Sequence, residues 1–107
     1  MALTFSVEIT IKAKQDVRGI LTYITEYLNN PAAASRLSNA IASSGDSLAA
    51  FPKRYRVRKK DSNGHEIRYM PVGKRSKFML IYFVDDSKKV VNIVRVLHET
   101  RNIDALI

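Results

Sequence analysis

Few side chains in this chain of 107 residues can do chemistry. There is no cysteine, and the only histidines are His65 and His98. That excludes thiolate nucleophiles, disulfides and thiolate metal sites, and two imidazoles are too few for a His-only metal site. Neither a metal nor a small-molecule cofactor is expected. His98 is the natural proton carrier, because imidazole titrates nearest neutral pH. Arg68 and Arg95 are natural phosphate clamps, since guanidinium matches phosphate oxygens bidentately. Glu66 or Glu99 could act as a base. Tyr82 could stack on a nucleobase or donate its hydroxyl. Each has a structural alternative. His98 could be a strand-end residue satisfied by backbone, and Arg68 could form a salt bridge. Arg95 could do the same, with Glu66 or Glu8 as partner, and Tyr82 could be core. His65 falls in a turn and is expected to face solvent. Parity sets a condition on the site. Arg95 and His98 are an odd number of residues apart, so a regular strand points them to opposite faces. They share a face only if the strand bulges near Val96-Leu97 or if His98 has left it.

The charge that would attract a phosphate partner is segregated. The net charge is +8, and residues 1–52 contribute nothing to it, with four cations against four carboxylates. Residues 53–107 hold fourteen Lys and Arg against six Asp and Glu. A one-sided basic field favours a polyanion or an acidic protein. Candidate binding residues are Lys53, Arg54, Arg56 and Arg58 in one basic run, Lys74, Arg75 and Lys77 in another, and Arg101. The 53–60 run also reads as a solvated surface or a partner-facing one. No apolar run is long enough to span a membrane, and the N-terminal stretch has neither a basic nor a long apolar region. No membrane partner and a cytoplasmic location are expected.

The elements that must position these groups follow from periodicity. The length suits a single domain over 1–107. Residues 4–11 alternate, with Phe5, Val7, Ile9 and Ile11 on one face, which predicts a half-buried strand. Val17, Ile20, Leu21, Ile24, Tyr27 and Leu28 then follow a helical repeat, so residues 14–28 predict an amphipathic helix with Asp16 in its first turn. Asn29-Asn30-Pro31 breaks it. Asn30 can cap a second helix with Pro31 at its first position, running to about Ala50. Three strands follow, at Glu66–Met70, Phe78–Val84 and Val90–Leu97, joined by short loops as an antiparallel meander. The expected class is α+β: an N-terminal strand, an antiparallel helical hairpin and a three-stranded antiparallel meander. The first strand is expected to pair with the meander. The helices are expected on one sheet face, with the other left for function.

The C-terminal half also resembles a known family. Phe51-Pro52-Lys53-Arg54-Tyr55, Glu66-Ile67-Arg68-Tyr69-Met70-Pro71-Val72-Gly73, Ile81-Tyr82, Ile93-Val94-Arg95-Val96-Leu97-His98 and Arg101-Asn102 resemble, in order, the segments of RelE/ParE toxins of type II toxin–antitoxin systems (the plasmid stabilisation family). In the first helix, Ala13, Asp16, Ile20 and Tyr23-Ile24 also match. The resemblance implies a toxin neutralised by a cognate antitoxin that wraps its helices and sheet. It implies one of two activities. One, the activity expected of this chain, is metal-independent cleavage of mRNA in the ribosome, with Arg68, Arg95, His98 and Tyr82 at the site. The other is inhibition of DNA gyrase without chemistry. A family member that only binds antitoxin is a third possibility. Three departures weigh against cleavage. Asn102 stands where the family often has Asp, Lys77-Phe78-Met79 stands where such nucleases tend to carry an arginine, and no aromatic follows His98.

Overall fold

A computed structural model describes residues 4–107. Residues 1–3, part of the expected single domain and of the stretch read for a leader, lie outside the described residues. The chain runs β1 (Ser6–Ile9), α1 (Ile11–Thr22), a π-helical turn (Tyr23–Tyr27), α2 (Pro31–Ser47), β2 (Val57–Lys60), β3 (Glu66–Pro71), β4 (Phe78–Asp85), β5 (Val90–His98) and α3 (Ile103–Leu106). The expected α+β class holds. One five-stranded sheet has the order β1-β5-β4-β3-β2. β1 lies parallel to β5, and the remaining pairs are antiparallel. The first strand does pair with the meander, and the meander has four strands rather than three.

β1 is shorter than its alternation predicts because Thr10 ends it. The Thr10 hydroxyl accepts from the Ala13 amide at 3.1 Å and caps α1, the usual way a β-branched hydroxyl satisfies an orphan helix donor. Ile11 therefore starts the helix and is 75% exposed instead of sharing the strand's buried face. α1 widens into the π-helical turn, where the Leu28 amide reaches back five residues to the Tyr23 carbonyl. Asn29 then adopts a left-handed φ of 50°, which asparagine tolerates better than most residues. Asn30 caps α2 through the Ala33 amide, with Pro31 at its first position, as the sequence predicts.

The sheet is apolar on both faces. The helix side buries Leu80, Tyr82, Val91, Ile93 and Val96 against Ala13, Leu37, Ile41 and Leu48. The second side buries Ile67, Tyr69, Ile81 and Leu97 under Ile103 of α3, with Met79, Phe83, Val94 and Ile107 packed around them. Fully burying each such aliphatic side chain stabilises by roughly 1.5–3 kcal/mol. The second face is thus a small core roofed by α3. It is not the open basic surface expected from the charge count, and the cations sit at its rim and in the turns.

Candidate functional site

The last strand does bulge, but before Arg95 rather than near Val96-Leu97, so Arg95 and His98 keep their odd separation in regular register. Tyr82 pairs with Ile93 and Ile81 with Arg95, so Val94 is the extra residue in β5. The cause is a change of neighbour. β1 ends at Ile9, and Thr10 closes the ladder with its amide on the Ile93 carbonyl at 2.9 Å and its hydroxyl on the Val94 carbonyl at 3.2 Å. Beyond that point α1, not a strand, flanks β5. Asp16 of α1 serves as a substitute ladder. Its Oδ2 accepts from the Val96 amide at 3.1 Å and from Arg95 Nε at 2.7 Å, and its Oδ1 accepts from Arg95 Nη2 at 3.1 Å. Arg95 and Asp16 side chains are only 16% and 14% exposed. This hydrogen bond to Asp16 raises the Arg95 pKa further above its usual value. Arg95 is in a salt bridge, and its partner is Asp16 rather than Glu66 or Glu8.

The bulge returns Val96 and His98 to the helix side, opposite Leu80 and Phe78. His98 ends β5, its ring edge-on to Phe78 at 5.1 Å between centroids. The Thr100 amide donates to His98 Nδ1 at 3.2 Å, and the Thr100 hydroxyl lies 2.7 Å from the same nitrogen. An amide can only donate, so Nδ1 is an acceptor and the neutral ring carries its proton on Nε2. His98 shares a groove with Asp16 and Arg101.

Arg68 and Tyr82 form a separate knot. They are cross-strand partners, and both hold the segment between α2 and β2. Tyr82 is fully buried and its hydroxyl donates to the Pro52 carbonyl at 2.7 Å. Burial pushes its pKa up to about 12, with Arg68 and Arg54 pulling weakly the other way. Arg68 Nη1 donates to the Tyr55 carbonyl and, at 3.4 Å, to that of Lys53. His98 stands opposite Phe78, four residues along β4 from Tyr82, a separation of about 13 Å at the usual strand rise. Arg68, Arg95 and His98 therefore occupy three places, with Arg68 and Arg95 each hydrogen-bonded within the chain. His65 is half-buried rather than solvated: its ring stacks on Phe83 at 3.9 Å and its Nδ1 lies 3.1 Å from Asp61.

The expected binding cations divide as well. Lys53 pairs with Asp86 at 2.7 Å, and Arg54 donates to Ser47. Arg58 lies over the Tyr69 ring at 4.7 Å. Arg56, Lys74, Arg75, Lys77 and Arg101 are exposed. Sequence reading missed the cluster on the second face. There the Tyr69 hydroxyl hydrogen-bonds Asp104, and Lys59 donates to the Asp104 carbonyl at 2.8 Å and the Ile107 carbonyl at 3.3 Å. Burial first, then Asp104, raises Tyr69 to about 12. A shallow cavity of about 310 Å³ beside it sets Arg58 and Arg101 against Glu99 and Asp104, which cancels its charge. Among the described residues no group of three or more His, Cys, Asp or Glu could hold a metal, and no helix is long and apolar enough to cross a membrane.

A five-stranded sheet with one parallel N-terminal edge, a helical hairpin on one face and a bulged last strand tied to the first helix is a fold with solved counterparts. It aligns with a chain of the chromosomal ParDE toxin–antitoxin system from P. aeruginosa at a TM-score of 0.70 and 21% identity, covering 89% of this chain and 96% of that one. It aligns with a chain of the RelBE2 toxin–antitoxin complex from Mycobacterium tuberculosis at 0.64 and 19%, covering 94% and 98%. No curated protein matches the sequence. The family model for the ParE toxin of the type II toxin–antitoxin system parDE matches residues 7–103, so the chain belongs to that family of toxins.

Proposed function

We propose that this toxin acts by binding a protein target, DNA gyrase being the one its family resemblance implies, and that it does not cut RNA. The observation that carries this reading is the commitment of the polar groups a nuclease would need. Arg95 is held by Asp16, Arg68 by two backbone carbonyls and Tyr82 by Pro52. Metal-free phosphodiester cleavage requires a proton acceptor, a proton donor and cations converging on one phosphate. Of Arg68, Arg95, Tyr82, His98 and Arg101, only His98 and Arg101 line the open groove. A cognate antitoxin is the second partner proposed, a protein that would mask the toxin surface in the resting complex.

The experiment pairs two assays. Purified toxin in excess should inhibit supercoiling by gyrase, and the His98→Ala variant should inhibit equally. Undiminished supercoiling would remove gyrase as the target. Programmed ribosomes incubated with the same protein should keep their mRNA intact. The competing reading, ribosome-dependent mRNA cleavage, has one feature in its favour: a half-exposed imidazole with its protonated Nε2 free beside Arg101. Cuts in the ribosomal A site, lost in His98→Ala, would establish it in place of the first.

A further inference from the structure

The turn between β3 and β4 carries Lys74, Arg75 and Lys77, all exposed. Among the described residues, none of the three has a carboxylate within salt-bridge distance. Like charges this close repel, so an unconstrained loop would splay them apart. The fold holds the turn instead. Gly73 takes a left-handed φ of 64°, which glycine accepts without strain, and a Cβ there would lie 3.5 Å from that of Ala40 on α2. Its amide donates at 3.3 Å to Ser44 Oγ of α2, a residue only 8% exposed. The Val72 amide donates to the Phe78 carbonyl at 3.0 Å across the turn. Ser76 Oγ donates to the Val72 carbonyl and accepts from the Phe78 amide. The Lys77 carbonyl accepts from the Glu99 amide at 2.7 Å. Three unpaired cations are thus presented on a fixed backbone, and none of these bonds occupies a cationic side chain.

The composition of the turn selects its partner. A protein interface is anchored by buried aromatic and aliphatic side chains, and the exposed residues here, Gly73, Lys74, Arg75 and Lys77, supply none. A single-stranded nucleic acid is gripped by stacking its bases on rings, and the turn holds no ring from Gly73 to Lys77. The backbone of a duplex requires neither. Its phosphates are met by cations, and those contacts supply nearly all sequence-independent binding. We propose that the β3–β4 turn is a binding site for the phosphates of duplex DNA. The inference takes its setting from the gyrase reading, since that enzyme supercoils duplex DNA. It gives the toxin a second contact on that target, made through the DNA rather than the protein.

The test uses the free full chain and a short labelled DNA duplex, read by fluorescence anisotropy over a range of salt concentrations. The logarithm of the binding constant should fall linearly with the logarithm of salt. Replacing Lys74, Arg75 and Lys77 together by serine should flatten that slope by about 2–3, one counterion for each lost phosphate contact. Removing equal charge from the exposed side of α1, with Lys12, Lys14 and Arg18 all changed to glutamine, should alter it by less than about 1. Ser44→Ala keeps every charge, and should weaken binding by about threefold or more because the loosened turn must be ordered on binding. No binding, a slope that both triple variants flatten alike, tighter binding of a single strand of the same sequence, or indifference to Ser44→Ala would each overturn the proposal. An acidic peptide that binds the turn more tightly than the duplex does would assign it to a protein partner instead. Gyrase separates this proposal from the reading it rests on. Duplex binding as expected with undiminished supercoiling would sink the gyrase reading and leave the site standing. Inhibited supercoiling without duplex binding would do the reverse.

Discussion

Asp16 makes three hydrogen bonds to β5, two to a guanidinium and one to a strand amide. Removing one partner of a largely buried ion pair leaves the other charge uncompensated, which costs about 3 kcal/mol or more. Asp16→Ala should lower the urea midpoint accordingly, and Arg95→Ala should do much the same. The double variant should lose less than the sum of the two. Arg95→Lys should not rescue it, because an ammonium cannot reproduce the fork. Tyr82 gives a prediction at alkaline pH. Its folded pKa and that of Tyr69 stand near 12, above the usual value of about 10 for a free phenol. The folded state therefore holds more protons than the unfolded one in that window, and stability falls as pH rises through it. Tyrosinate absorbance should develop late for these two residues. In Tyr82→Phe, Tm should fall less steeply above about pH 10. At neutral pH the same variant should cost about 1–3 kcal/mol, since the Pro52 carbonyl is left buried without a donor.

At the scale of elements, much of the architecture was legible because it rests on periodicity and caps. The helical repeat after Lys14, the Asn30-Pro31 start of α2 and the three C-terminal strands all carry local signals, and all are present. What was not legible rests on partners far along the chain. β2 hides in a run of cations, with Val57 its single apolar residue, and it becomes a strand only by pairing with β3. α3 has four residues and exists because Ile103 roofs the second face. The site was read less well for a related reason. The residues Arg68, Arg95, His98 and Tyr82 could be picked out by type, but their partners could not. Asp16 is 79 positions from Arg95, and no short-range pattern links them. The β2–β3 turn yields its own prediction. Burial of Asp61 works to raise its carboxyl pKa, but hydrogen bonds from the His65 and Asn63 amides and the His65 ring outweigh that and hold it below the usual value. A lowered carboxylate pKa stabilises above the unfolded value of about 3.9 and loses that contribution as pH falls through the folded one. Asp61→Asn should therefore show a flatter fall of Tm between about pH 5 and 3 than the parent.

For the whole molecule, the decisive property is where charge remains unpaired. Lys74, Arg75 and Lys77 crowd one exposed turn between β3 and β4, close to Glu99 and His98 through the bond of the Glu99 amide to the Lys77 carbonyl. Charges so placed speed encounter more than they strengthen a finished complex. Replacing all three by serine should slow association with the antitoxin and flatten its dependence on salt. It should shift the urea midpoint by no more than about 0.5 kcal/mol in stability terms. Stopped-flow binding at two ionic strengths would check the first part. An unchanged association rate would show that steering comes from elsewhere on the basic half.

The parallel contact between β1 and β5 has a consequence in time. Ser6 pairs with Val90, and Thr10 of the α1 cap bonds Val94, 84 residues away. Contacts so distant in sequence close late, because the entropy of the intervening loop must be overcome first. During synthesis the helical hairpin can form early, but α1 has no strand to rest on until β5 has left the ribosome. The groove that α1 shares with β5, and the neutralised Asp16 beside it, thus come into being only once β5 has emerged. A growing chain would therefore present the helices before it presents the assembled surface.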